Sequence, residues 1–365
     1  MRVPFNYLQS QFKNYKLYFK EWEKLIKSSE FTLGPFVQKF ENNFANFIGA
    51  KHCIATNNGT DALILALKSL GVSKGDEVIT VCNSFYATAG SIVACGAIPV
   101  FVDSDKRYQI DVAKIEKAIT KKTKVILPVH WGGASPEIGK ILKIAKKNKL
   151  KVIEDACMGI GAKIGKKSPG TFGDVSAMSM HPLKSLNVMG DGGMVITNNT
   201  KIANWIRRYR NHGMVDRDHI SDWGVNMRIQ PFQAIVANIE LKRVKKIINL
   251  RNKNAKILDK NLSQIKGVNV PQRKKGFLET FALYMARFKK RDELKSFLIK
   301  NKVEVKIHYP IPLHLQKAAK KIGYKKGDFP EAEMQAKELL TLPVHQYLSN
   351  KQLYFMINKI KKFYK

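Results

Sequence analysis

The sequence predicts an α/β protein: a large domain on a mostly parallel, doubly wound sheet, followed by a smaller α+β domain at the C-terminus. Two observations carry this. Between residues 52 and 197, short apolar runs of strand length alternate with stretches of helix length. Such strands, apolar throughout, suit a sheet covered by helices on both faces. The chain also has 365 residues, 44% of them hydrophobic, which suits one large domain and a smaller one.

Residues 1–30 read as an amphipathic lead-in segment. Phe36, Phe40, Phe44 and Phe47 then recur at helical spacing and predict a helix that buries that stripe. The α/β rhythm starts with the strand "HCIATN" and the helix "GTDALILALKSLGV", which stops at Gly71. The strand "DEVITVCN" and helix "YATAGSIVACGA" follow, then the strand "IPVFVD" and a helix around 111–119. "KVILPVH" is a strand, "PEIGKILKIAKKNK" a helix and "LKVIEDA" a strand. "DVSAMSM" and "GGMVITN" add two more strands. One long helical pattern runs from Gln230 past Leu250 and bridges to the second domain. Strand-like "ETFALYMARF" and "VEVKIHY" there mix with the helices "RDELKSFLIKNK", "AEMQAKELL" and "NKQLYFMINKIKKFY". The expected division is 1–30, 31–249 and 250–365.

Composition narrows the function classes. No apolar run approaches the length of a membrane span, and the N-terminus lacks a signal-peptide core, so the cytoplasm is the default location. Cys53, Cys82, Cys95 and Cys157 lie far apart with no C-x-x-C pair, and are expected to be reduced thiols in or near the core. The net charge of +35 raises nucleic-acid binding as one reading. The lysines, however, are spread over helix faces and turns without interleaved aromatics, which favours a solvated basic surface that attracts anionic small molecules. His308 and His314 are six apart, and packing or substrate contact suits them better than metal binding. Trp131 and Trp223 are expected to be packing residues.

In doubly wound sheets, ligands bind beyond the carboxyl ends of the strands. Those positions hold Asn57 to Asp61, Asn83 to Tyr86, His130 to Gly133, Glu154-Asp155 and Ser179 to Lys184. Gly59 and Thr60 open a helix whose N-terminus favours an anion such as phosphate, although Thr60 could simply cap it. Asp155 ends an apolar strand and faces the crevice, as a helix cap, a base or the partner of a protonated ring nitrogen. Lys184 follows Ser179 by five residues and precedes Gly190, Gly192 and Gly193, which are expected to turn the chain tightly. Lysine, carboxylate, aromatic ring and phosphate cradle together match the needs of pyridoxal 5′-phosphate.

Six blocks then come into one order: "NNGTDALILAL", "NSFYATAGSI", "VIEDAC", "SMHPLKSLNVMGDGGMVITNN", "GVNMRIQPFQAIVANIEL" and "IHYPIPLHLQ". Together, over about residues 30–345, the chain resembles the DegT/StrS-type sugar-nucleotide aminotransferases, fold-type-I pyridoxal-phosphate enzymes. The resemblance implies amino transfer from L-glutamate to a nucleotide-linked keto sugar, in a homodimer with active sites at the interface. It implies Lys184 as the Schiff-base lysine, Asp155 as the pyridinium partner and Phe85 as the stacking ring. Gly59, Thr60, Asp61 and Ser179 match the phosphate cradle, and Asn226 matches an asparagine reaching the neighbouring subunit's cofactor, with Arg228 beside it. His308 and Tyr309 match a loop near the sugar. Met158 stands where the family usually has Gln or His, and a thioether cannot donate a hydrogen bond to the cofactor's ring oxygen. "HWGGAS" and "GMVDRDHISDWGVN" also depart from the family's usual wording. "IHYPIPLHLQ" leans toward dTDP-3-keto-6-deoxyhexoses for a surface glycan such as the lipopolysaccharide O-antigen. A UDP- or GDP-linked 4-keto sugar, or a non-catalytic regulatory or nucleic-acid-binding protein, are the alternatives.

Overall fold

The computed structural model describes all 365 residues, Met1–Lys365. Seven strands form the central sheet: β1 (His52–Thr56), β2 (Glu77–Val81), β3 (Ile98–Val102), β4 (Thr123–Leu127), β5 (Lys151–Asp155), β6 (Val175–Ser179) and β7 (Gly193–Thr197). Their order is β1-β7-β6-β5-β4-β2-β3. The block from β6 to β3 is parallel, and β7 runs antiparallel to both of its neighbours. Six of the seven strands therefore point the same way, and their carboxyl ends share one edge.

Helices cover both faces. Ile54, Leu63, Leu67, Ile79, Ile126 and Ile153 belong to one core, and Phe40, Phe44, Met178, Met194 and Ile248 to another. The strands are buried on both faces because each face meets a helix layer, hence their unbroken apolar runs. The phenylalanine helix spans Gly34–Ile48. Phe40 and Phe44 are fully buried, while Phe36 and Phe47 are only half-buried, since four positions spread over three turns wrap past the contact line.

A third core lies in the C-terminal part, around Leu258, Tyr284, Phe288, Leu298, Leu340 and Ile357. It also contains Val3, so the chain's first residues pack against its last hundred. There a three-stranded sheet pairs Tyr284–Phe288 with Leu339–Leu342 and with Val268–Asn269.

Several local expectations differ from the structure. The helix at 111–119 is two 3-10 turns, Val112–Lys114 and Glu116–Ala118, with Asp111 capping the first. The long helix after Gln230 is two helices, Pro231–Leu241 and Val244–Leu262, broken at Lys242-Arg243. "VEVKIHY" forms only single bridges, at Val303 and Lys306. "LL" at 339–340 leaves the preceding helix and enters a strand. The sequence reading assigns no helix to 200–209, yet Thr200–Tyr209 is helical, with the Asn199 side chain accepting from the Lys201 and Ile202 N–H groups. The bridges at Val303 and Lys306 and the strand from Leu339 pair with partners remote in sequence, which local pattern could not decide.

Candidate active site

The five strand-end clusters read from the sequence meet at the carboxyl edge. Asn58 to Thr60 follow β1, Ser84 to Thr88 follow β2, and Val129 and Trp131 follow β4. Asp155 to Met158 end β5, and Ser179 to Lys184 end β6. Together with residues of the C-terminal part they line one cavity of about 260 Å³.

At the β1 end, the helix Gly59–Ser69 begins inside this cavity. Asn58, not Thr60, is its cap: Oδ1 accepts from the Asp61 N–H at 2.8 Å. The first-turn N–H groups of Gly59 and Thr60 have no acceptor within the helix, so this end suits an anion. Gly59 is required for packing, since a Cβ there would lie 2.8 Å from the Ser179 Cβ. Asp61, expected in the phosphate cradle, does not line the cavity. Its carboxylate turns back to accept from Asn58 Nδ2 at 3.1 Å, and is used up by the cap.

Asp155 is 4% exposed. Its Oδ2 accepts from Thr88 Oγ1 at 2.7 Å, and its Oδ1 from the Cys157 N–H at 3.2 Å. Ser84 Oγ lies 2.7 Å from Thr88 Oγ1, so with Thr88 donating to Asp155, Ser84 donates to Thr88. The carboxylate is in no ion pair. A buried, oriented carboxylate without a cation is costly unless a bound group supplies the charge. Lys184 lines the same cavity. Burial depresses the pKa of its amine, and the nearby Cys157 and Asp155 oppose that only partly. Cys157 is the one half-buried cysteine; Cys53, Cys82 and Cys95 are buried, and all four are free. Burial, then Asp155, pushes the Cys157 thiol well up, so it lies in the cavity as a neutral group.

Phe85 presents an uncovered ring to the cavity, 46% exposed. Tyr309 packs against it at 5.9 Å between centroids, and against Tyr86 at 5.3 Å and Trp131 at 5.5 Å. Trp131 is buried, as expected of a packing residue, and also lines the cavity. Trp223 does not pack: it is 88% exposed. Met158 lines the cavity, and its carbonyl accepts from Thr280 Oγ1 at 2.7 Å. His308 lines it too, with Nδ1 2.9 Å from Thr341 Oγ1. His314 lies elsewhere, buried against Glu333.

Asn226 and Arg228 do not line this cavity. Asn226 is exposed, and its Oδ1 accepts from Arg228 Nε at 3.1 Å, while Arg228 Nη1 donates to Asn211 at 2.8 Å. Arg228 thus has amide partners and no carboxylate. The glycines after Lys184 also act otherwise than expected. None of Gly190, Gly192 and Gly193 has a left-handed φ; Met189 does, at 57°. Close approach demands these glycines instead: a Cβ on Gly193 would lie 2.1 Å from the Asn58 carbonyl oxygen.

Sequence reading missed Thr88, Phe5, Tyr7, Arg251 and His345, all of which line the cavity. Thr88 had a local signal, one helical turn after Ser84 and Phe85. The other four come from segments whose approach depends on how the chain ends fold back.

Two of the cavity histidines make a pH prediction. Burial lowers His308 and His345 each to about 4. An unfolded histidine titrates near 6.5, so the unfolded chain takes up these protons first as pH falls. The stability they contribute is complete above about pH 6.5 and is lost on the way to pH 4, on the order of 3 kcal/mol for each. Denaturant unfolding at several pH values should show this slope, and His345→Gln should flatten it. An unchanged slope in that variant would refute the assignment.

The comparisons agree with this geometry. The model of the DegT/DnrJ/EryC1/StrS aminotransferase family matches residues 15–361. A Geobacillus stearothermophilus protein named "pleiotropic regulatory protein" is 40% identical, over 100% of this chain and 99% of its own. The UDP-2-acetamido-2-deoxy-3-oxo-D-glucuronate aminotransferase of Pseudomonas aeruginosa is 36% identical over 89% of this chain and 90% of its own. The dTDP-3-amino-3,6-dideoxy-alpha-D-galactopyranose transaminase of Aneurinibacillus thermoaerophilus is 33% identical over 93% of each. Among solved structures, S. venezuelae DesV superposes with a TM-score of 0.97 at 31% identity, covering 100% of this chain and 99% of its own. NtdA from Bacillus subtilis, solved with bound cofactor PMP, gives 0.90 at 28% identity, covering 98% of this chain and 85% of its own. Pyridoxal 5′-phosphate fits the residues present: an unpaired buried carboxylate, an amine of lowered pKa, an uncovered aromatic ring and an open helix N-terminus. With its sheet, its cavity and these relatives in agreement, the chain belongs to the DegT/DnrJ/EryC1/StrS aminotransferase family.

Proposed function

We propose that this chain transfers an amino group from L-glutamate to a nucleotide-linked 3-keto sugar. The observation that carries the reading is the buried, unpaired Asp155 in one cavity with Lys184 and the open helix end at Gly59 and Thr60. Bound pyridoxal phosphate supplies a carbonyl for the amine and a ring that takes up the electron pair freed at the donor's α-carbon. Asp155, held by Thr88, would balance a proton on the cofactor's ring nitrogen. The helix end at Gly59 and Thr60 and the Ser179 hydroxyl would hold its phosphate, and Phe85 would pack against its ring. Lys184, whose amine burial shifts towards the free base, would take up the proton leaving the donor's α-carbon and later release it, beside a bound cofactor. In the second half of the cycle it moves a proton in the opposite direction for the keto sugar. His308 and Tyr309, on the cavity wall with the buried Trp131, contact the sugar.

The names of the P. aeruginosa and A. thermoaerophilus relatives both place the amino group at C3 of the sugar, one on UDP and one on dTDP. They support the third carbon, and the dTDP-linked 6-deoxyhexose is the substrate read from the sequence. A homodimer belongs to the same reading: Asn226 is exposed and outside its own chain's cavity, as a residue serving a second subunit's cavity must be. So does the division near residue 250 into a large cofactor-binding domain and a small one, supported by their separate cores.

The test is spectroscopic. Purified protein with pyridoxal phosphate should absorb in the visible, lose that band on adding L-glutamate, and regain it with a dTDP- or UDP-linked 3-keto sugar. A band indifferent to glutamate would sink the reading, and recovery with only one nucleotide names the substrate. The regulatory alternative predicts no response to either.

A further inference from the structure

Arg251, in the helix Val244–Leu262, is 2% exposed and forms part of the cavity wall. A buried guanidinium is normally matched by a carboxylate. Arg251 has none: it is in no ion pair. Its three protein hydrogen bonds are all to neutral oxygens, from Nη2 to Tyr7 Oη at 2.7 Å, from Nε to Gln346 Oε1 at 3.1 Å and from Nη1 to the Phe281 carbonyl at 3.4 Å. A guanidinium carries five N–H donors, so two remain. Beside it the Gln346 Nε2 is buried without an acceptor. His345, on the same wall, is held neutral by burial and by the Arg251 charge, so it adds no second cation. This wall therefore has one full positive charge, surplus donors and no anion of its own.

The charge also lies close to the chemistry. Tyr7 Oη, which accepts from Arg251, lies 3.3 and 3.4 Å from the Leu183 and Lys184 carbonyls, towards which it donates. The guanidinium is thus two hydrogen bonds from the main chain of the reacting lysine.

We infer that Arg251 is the anchor for a carboxylate of the amino donor and of the keto acid it leaves behind. This rests on the glutamate reading above. Carboxylate matches the fork of a guanidinium, and its binding supplies the missing counter-charge. As a buried part of the cavity wall, the anchor favours donors that carry a carboxylate over neutral amines. The nucleotide's diphosphate is the other anion that could take this place, and the two separate experimentally.

The holoenzyme is assayed in its two half-reactions, with Arg251→Gln and Arg251→Lys beside the unaltered protein. The expected result is a KM for glutamate raised about ten- to hundred-fold in Arg251→Gln, with less loss in Arg251→Lys and an unchanged KM for the keto sugar nucleotide. A rise confined to the keto sugar nucleotide transfers the subsite to the diphosphate and overturns the inference. An equal fall in kcat for both half-reactions with neither KM moved also overturns it, and makes Arg251 a positioning residue for the Lys184 loop. Should both variants fail to fold, the unaltered holoenzyme still decides. Glutarate should then raise its Tm and compete with glutamate, whereas glutaramide should do neither, and equal effects of the two would refute the anchor. If the unaltered protein shows no response to glutamate at all, the functional reading fails rather than the assignment of Arg251.

Discussion

Lys184→Ala is expected to lower the rate of amino transfer by roughly 10⁴-fold or more while leaving the fold intact. The magnitude follows from loss of the only amine placed to carry the proton, a role that typically contributes 10²–10⁴-fold, together with its covalent role. Position makes this lysine different from the other basic residues. Burial depresses its pKa, so a larger share of it is a free base at neutral pH than of any solvated lysine. It shares the cavity with Asp155 and the open helix end. Single-turnover kinetics with glutamate should show the loss, and an added small primary amine should restore part of it in Lys184→Ala. Turnover near the rate of the unaltered protein would remove Lys184 from the mechanism. The same depression predicts the pH dependence: the amine is lost as a base when pH falls through its lowered pKa, so the acid limb of the rate profile shifts to lower pH than an exposed lysine would give.

Asp155→Asn should cost about 10²–10³-fold in kcat, the scale found when one preorganised electrostatic partner is removed from a buried site. Asparagine keeps the shape: its Oδ1 can still accept from the Cys157 N–H, while its Nδ2 faces Thr88 Oγ1, which must turn to accept, so the loss measures mainly charge rather than packing. The bound cofactor's visible band should move with the substitution, since its ring nitrogen no longer faces a carboxylate. A variant with an unmoved band and full activity would show that Asp155 is only a strand-end acceptor. Thr88 acts on the same group. It holds one Asp155 oxygen and is itself held by Ser84, so the carboxylate's direction is set by a helix start and not by its own strand.

Much of this site was legible in the sequence because it hangs on strand ends. A strand's last residue and the turn after it are adjacent in the chain, and a parallel sheet brings all such turns to one edge. Asp155, Ser179, Lys184, Phe85, Gly59 and Thr60 were found this way. The sequence could not show how single side chains divide their hydrogen bonds. Asp61 has the right place along the chain but is spent on Asn58, and the glycines after Lys184 serve contact rather than turning. Short elements paired with distant partners, such as the bridges at Val303 and Lys306, were equally out of reach.

The sequence by itself determined the α/β class and the strand ends that meet at the cavity, and it singled out Lys184 and Asp155 as the candidate reacting lysine and carboxylate. These depend on apolar periodicity and on residue types at short spacing, both local properties. Only the tertiary structure decided that Phe5 and Tyr7 close the cavity, that Thr88 aims Asp155, and that a buried Arg251 stands without an anion. Val3 joins the C-terminal core, and the segment after it is thereby laid along the lysine loop. That approach joins residues more than 170 positions apart, held by burial and hydrogen bonds that no local pattern encodes.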